Sequence, residues 1–151
     1  MEMFSIRSNP VEILSNTRSG KTAGFSESSK LMNAAETGRA GEAAAQEFLR
    51  GAGYEICATN WRSGHYELDI VARKDDTLHF VEVKTRREAS LTPPSAAATR
   101  RKFLALKHAA AHYLAISRWQ GEVQFDLASV IRGNDGTFRI ELVEQAMESH
   151  W

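Results

Sequence analysis

The sequence holds a single cysteine, Cys57, among 151 residues, so no internal disulfide can form. With no Cys/His cluster at zinc-ligand spacing either, a structural zinc site is not expected, and a reducing compartment fits. Nothing approaches the roughly 18 consecutive apolar residues of a membrane span. No apolar core precedes a small-residue cleavage site of the kind that marks a secretory leader. The expectation is a cytoplasmic protein with no membrane partner. Net charge is lacking too, because Lys+Arg and Asp+Glu both number 19. Overall charge therefore speaks neither for nor against an anionic partner, and only its local distribution can.

What is present suits one ordinary globular domain, with 42% hydrophobic and 25% charged residues. Residues 1–33 differ from the rest. They carry seven serines, Gly20, Gly24 and Pro10 among scattered apolar residues. Such a stretch buries too little surface to offset ordering entropy and is expected to be a flexible tail. Glu2, Glu12 and Glu27 interrupt the basic pattern of a transit peptide, and Met32 offers an alternative start. The domain is expected over 34–151.

Residues 36–52 read as a helix with Thr37 as N-cap, Ala40, Ala44, Phe48 and Ala52 inward, and Gly53 closing the end. Three short runs rich in β-formers follow: "YEICATNW", "YELDIVARK" and "TLHFVEVKTR". Residues 87–97, with Pro93 and Pro94, read as a loop. Residues 98–116 read as a second helix with Phe103, Leu106, Ala110 and Leu114 inward. "EVQFDLASVI" and "FRIELVE" are strands around a "GNDG" turn. The order is α-β-β-β-α-β-β.

The third run places Glu82 and Lys84 among Phe80, Val81 and Val83. Strand side chains alternate between faces, so Leu78, Phe80, Glu82, Lys84 and Arg86 share one and Val81, Val83 and Thr85 the other. By the same rule Glu67, Asp69 and Val71 oppose Leu68, Ile70 and Ala72. A two-residue turn at Asp75-Asp76 would pair Val71 with Phe80, Asp69 with Glu82 and Glu67 with Lys84. Two carboxylates would then face each other with Cβ atoms about 4.5–5.5 Å apart and repel. A divalent cation on oxygen ligands answers that repulsion, and Mg²⁺ uses one or two carboxylates, waters and substrate phosphate. Lys84, about 6.6–6.8 Å further along the face, could activate water or stabilise phosphate charge. The plain alternative is an ordinary i,i+2 ion pair on a polar strand face.

An acid on the leading helix, an Asp on one strand and E-x-K on the next, in this order of elements, resembles the PD-(D/E)XK nuclease superfamily. The stretches "GRAGEAAAQEFL", "ELDIVAR", "LHFVEVKTR" and "TRRKFLALKHAAAHYL" resemble, more narrowly, the YraN-like predicted endonucleases, which are similar to archaeal Holliday-junction resolvases. The resemblance covers about residues 36–132. It implies a restriction-endonuclease-like core, a mixed β-sheet flanked by helices. It makes Asp69, Glu82 and the Val83 carbonyl ligands of Mg²⁺ or Mn²⁺, Lys84 the catalytic lysine, and Glu42 the helix acid that orients a ligand water or second ion. Glu67 matches the first acid of a G-E-x-D pattern, but Tyr66 stands where the family commonly has Gly, and Gln124 where it often has Arg.

Lys84, Arg86, Arg87, Arg100, Arg101, Lys102 and Lys107 face only Glu88 in the same interval. Arg86, Arg100, Arg101 and Lys102 are the expected phosphate contacts, and His65, in a turn, is an accessory candidate. His108 and His112 stand at i,i+4 without an H-E-x-x-H pattern and read as surface or packing histidines. Trp61 reads as core and Cys57 as an inert buried thiol. The function expected is a metal-dependent endonuclease acting on DNA, in particular structured or branched DNA, with a homodimer as one assembly state. The rivals are a nucleic-acid-binding or adaptor module without turnover, and a metal-independent hydrolase using Asp69 and Glu82 as an acid/base pair.

Overall fold

A computed structural model describes residues 32–89 and 100–146. Most of the expected tail and of the Pro93-Pro94 loop lies outside these residues. Helix α1 spans Ala34–Gly51. Strands β1 (Glu55–Ser63), β2 (Tyr66–Lys74) and β3 (Thr77–Arg87) follow, then helix α2 (Arg100–Ser117), and strands β4 (Glu122–Arg132) and β5 (Phe138–Val143). The order is the expected α-β-β-β-α-β-β. Among the described residues no helix is long and apolar enough to cross a membrane.

The five strands form one mixed sheet in the order β1-β2-β3-β4-β5. Neighbours are antiparallel except β3 and β4, which run parallel. A parallel pair requires a crossover, and α2 lies within it. Each face of the sheet carries one helix. Ala45 and Leu49 of α1 pack with Ile70, Ala72, Val81, Val83, Ala128 and Val130. Leu106, Ala109 and Ala110 of α2 pack with Leu68, Val71, Leu78 and Phe80. Because both faces of β3 are covered, residues 78–83 are buried without a break. This is an α/β fold consistent with a restriction-endonuclease-like core.

Three local expectations are corrected. The N-cap of α1 is Asn33, not Thr37: its side chain accepts the Glu36 N–H while the Glu36 carboxylate accepts the Asn33 N–H, a capping box. The buried stripe of α1 is Thr37, Gly41, Ala45 and Leu49, one residue on from the expected one. The cause is a close approach. A Cβ at Gly41 would overlap the Thr85 side chain of β3, so the contact line runs through the glycine. Cys57 is exposed rather than buried, because it lies at a bulge of the edge strand β1: pairing with β2 steps from Ile56 to Ala58 and leaves it out. Gly53 does close α1, with a left-handed φ of 88° and the Tyr54 N–H returned to the Leu49 carbonyl at 2.9 Å.

The β2–β3 hairpin has the two-residue turn and the register expected, with Lys74 opposite Thr77 and Val71 opposite Phe80. Its backbone ladder ends at Ile70 opposite Val81. The strict alternation expected for β2 also breaks there, since Leu68 joins the cluster beneath α2 and Ile70 the one beneath α1.

Candidate metal centre

Past Ile70, β3 continues to pair with β4 as far as Arg87 but has lost its β2 ladder. The next inward-facing amide, that of Val83, must find another acceptor, because an unpaired buried N–H is costly. Asp69 supplies it: its Oδ2 accepts the Val83 N–H at 2.8 Å. The carboxylate thus stands where a ladder carbonyl would have stood, fixed against the strand that carries Glu82 and Lys84. In a strand the N–H and C=O of one residue point the same way. The Val83 carbonyl is therefore directed to the Asp69 side.

Glu82 is a buried carboxylate whose side chain is 9% exposed. Two ammonium groups reach its Oε1: Lys84, at 3.5 Å, and Lys102 of α2 in closer contact. Glu42 of α1 adds a third acid near enough to act on Asp69 electrostatically. The Gly41–Thr85 approach explains its position, since it seats the neighbouring turn of α1 directly on β3 beside Lys84. So the structure gathers Glu42, Asp69, Glu82 and Lys84, and adds Lys102, which sequence reasoning had placed only among phosphate contacts. The signal that could have found Lys102 was topological: a crossover after β3 begins at the end where Glu82 sits.

The electrostatics follow from crowding. Burial and, after it, the negative charge of Glu82 push the Asp69 carboxyl up to about 7, and the Val83 N–H bond only partly opposes this. Burial and the neighbouring Lys102 lower Lys84 from its ordinary value. Burial would also lower Lys102, but Glu82, Lys84 and the charge of Asp69 together outweigh that and leave it raised.

The other candidates disperse. Glu67 is exposed and bonds Arg62 across β1 at 3.0 Å, so it is not the partner of Lys84. His65 is exposed in the β1–β2 turn. Arg86 is half-buried in β3 and Arg101 exposed in the first turn of α2, which Arg100 opens. Tyr66 stacks on His108 at 5.4 Å, and His112 meets Ser63 Oγ at 2.8 Å. These contacts give Tyr66 a packing role and make both histidines packing residues, as expected. Trp61 packs into the cluster beneath α2.

A polar pair on the other face had no sequence signal. His79 Nδ1 and Asp126 Oδ2 lie 2.6 Å apart, both buried. Asp126 Oδ1 accepts from Gln124 and from the Gln145 backbone, each at 2.9 Å. Gln124, at the position where the resembled family often has Arg, is thus an internal brace.

Among the described residues no group of three or more His, Cys, Asp and Glu is drawn to metal-holding distances. The donor set still suits a hard divalent cation: two carboxylates and a backbone carbonyl, all oxygen, with charge that otherwise repels. A family model described as "Uncharacterised protein family UPF0102" matches residues 41–130, a span that includes all five charged residues of this cluster. A UPF0102 protein of Bacteroides thetaiotaomicron is 42% identical over 111 residues, 74% of this chain and 91% of that relative. One from Porphyromonas gingivalis is 44% identical over 112 residues, 74% of this chain and 83% of the relative. One from Caldicellulosiruptor bescii is 37% identical over 118 residues, 76% of this chain and 99% of the relative.

Proposed function

We propose that this chain, which belongs to the UPF0102 family, is a Mg²⁺- or Mn²⁺-dependent endonuclease that hydrolyses phosphodiester bonds in DNA, with structured or branched DNA as the first substrates to test. The observation that carries the reading is the break in the β2–β3 ladder, where Asp69 caps Val83 opposite a buried Glu82 flanked by two ammonium groups. Its likeness to YraN-like endonucleases and to the PD-(D/E)XK pattern supports the same conclusion.

Asp69, Glu82 and the Val83 carbonyl would hold the cation, which when bound supplies Lewis-acid charge and acidifies a ligand water. Glu42 would orient that water by hydrogen bonding. Lys84, its ammonium desolvated and its pKa lowered, would place positive charge where the attacked phosphate gains negative charge. Arg86, Arg100 and Arg101 would neutralise flanking phosphates.

A panel of linear, nicked, flapped and four-way DNA, with RNA as comparison, incubated with Mg²⁺ or Mn²⁺, tests the reading. Cleavage that EDTA abolishes is the expected result. Metal binding without cleavage of any form would favour a binding module instead, a reading that the Lys102–Glu82 pair also suits, because an ammonium there already meets the need for positive charge. Full activity in EDTA would favour an acid/base hydrolase.

A further inference from the structure

The cluster sets two ammonium groups against the carboxylate that would hold a cation. Lys84 and Lys102 converge on a single oxygen, Glu82 Oε1, and also interact with each other. A divalent cation bound to Glu82 and Asp69 would sit against both ammonium groups in a half-buried setting, where charges are poorly screened. One of them must give way. Lys84 is anchored in the middle of a strand that is paired through Arg87. Lys102 stands in the first turn of α2, its side chain 39% exposed, with solvent beside it.

That first turn has an unusual balance. It contains no acidic residue, while Arg100, Arg101 and Lys102 oppose the positive end of the helix dipole. The acid that such a turn ordinarily carries is supplied from another element, by Glu82. The contact therefore satisfies two needs at once: the buried carboxylate gains a cation, and the helix start gains an anion.

Resting on the metal-site reading above, we propose that Lys102 is a displaceable internal counter-ion, which holds Glu82 while the site is metal-free and is released when a divalent cation takes that carboxylate. The exchange couples two events. Once displaced, the Lys102 ammonium joins exposed Arg101 on the solvent side of α2, and a nucleic-acid phosphate becomes its compensating anion. Metal and substrate then bind with positive cooperativity, since each favours the state in which Lys102 has left Glu82. Lys102 acts through Glu82 and is a positioning residue.

Two measurements on the full chain test this. Calorimetric titration with Mn²⁺ compares wild type, Asp69→Asn and Lys102→Gln. Limited acetylation, read by peptide mass spectrometry, compares Lys102 with exposed Lys107 of the same helix, with and without Mn²⁺. The expected results are binding to wild type that Asp69→Asn abolishes, binding to Lys102→Gln tighter by roughly 5- to 50-fold, and a several-fold rise in Lys102 acetylation on adding Mn²⁺ with Lys107 unchanged. A Lys102→Gln protein that binds when wild type does not would support the inference in its strongest form. Normal wild-type binding with Lys102 acetylation unchanged or slowed would overturn the inference and leave the metal site standing. Equal or weaker Mn²⁺ affinity in Lys102→Gln would do the same. Failure of wild type and Lys102→Gln alike to bind Mn²⁺ would overturn both.

Discussion

Asp69 of β2 holds the backbone N–H of Val83 on β3 at 2.8 Å, one step beyond the point where the two strands stop pairing. A side chain has replaced a main-chain acceptor. The carboxylate cannot leave without stranding a buried amide, so its place beside Glu82 is enforced by the sheet itself.

Asp69→Asn keeps an oxygen for that amide and removes the charge. The wild-type carboxyl is raised from 3.8 to about 7, first by burial and then by Glu82. The folded chain then binds a proton that the unfolded chain releases across this window, so its contribution is full below about pH 4 and lost as pH rises through about 7. In EDTA the variant should match wild type near pH 4 and exceed it above pH 7, by an order of a few kcal/mol at about 1.4 kcal/mol per pH unit of displacement. Mn²⁺ at 100 times its dissociation constant should stabilise wild type by about 2.7 kcal/mol and the variant far less. Thermal melts across pH decide it; parallel curves for the two proteins would refute the buried-acid account.

Lys84→Ala should retain the fold and Mn²⁺ binding, and lose cleavage by roughly 10²- to 10³-fold, the scale for one preorganised charge at a transition state. Single-turnover rates on whichever DNA form is cut provide the measurement. A wild-type rate would remove Lys84 from the chemistry.

The double variant Arg100→Ala/Arg101→Ala should weaken DNA binding and flatten its salt dependence. Each lost phosphate contact reduces the log–log slope by roughly 0.9 on duplex. Fluorescence anisotropy over a salt series reports it, and an unaltered slope would mean that the start of α2 does not touch the backbone.

Asp126→Ala deprives His79, Gln124 and the Gln145 N–H of their shared acceptor. Leaving buried donors without their acceptor costs about 1–3 kcal/mol. Chemical denaturation should show that loss, while Mn²⁺ affinity of the folded fraction stays near wild type because the pair does not touch the acid cluster. A loss below about 1 kcal/mol would show that water satisfies the pair instead.

The β-formers, the Asp75-Asp76 turn and the E-x-K pattern made the element order and the β2–β3 register readable, because local chemistry fixes each of them. Asp69, Glu82 and Lys84 were legible for the same reason. Lys102 was not, since its contact with Glu82 depends on a crossover and no short-range pattern encodes it. His79 and Asp126 were hidden because burial under α1 from parallel β4 is tertiary information. The helix stripe was misplaced by one residue because a glycine, which has no hydrophobic signature, marks the closest approach. Glu67 went to Arg62 because the hairpin ladder stops before reaching it.

The mixed sheet also sets a sequence of events in time. Asp69 and Glu82 are joined through a two-residue hairpin, a contact between near neighbours in the chain. Lys102 reaches them only from the crossover that α2 makes to parallel β4. Contacts between near neighbours close quickly and parallel pairings slowly. During refolding the acidic half of the cluster should therefore assemble first, with Lys84 as its counter-charge until α2 brings Lys102. A divalent cation present at that moment would act as an assembly aid and speed the slow docking phase. Stopped-flow refolding with Mn²⁺ or EDTA reads this directly, and identical rates in both would mean that the two halves form together.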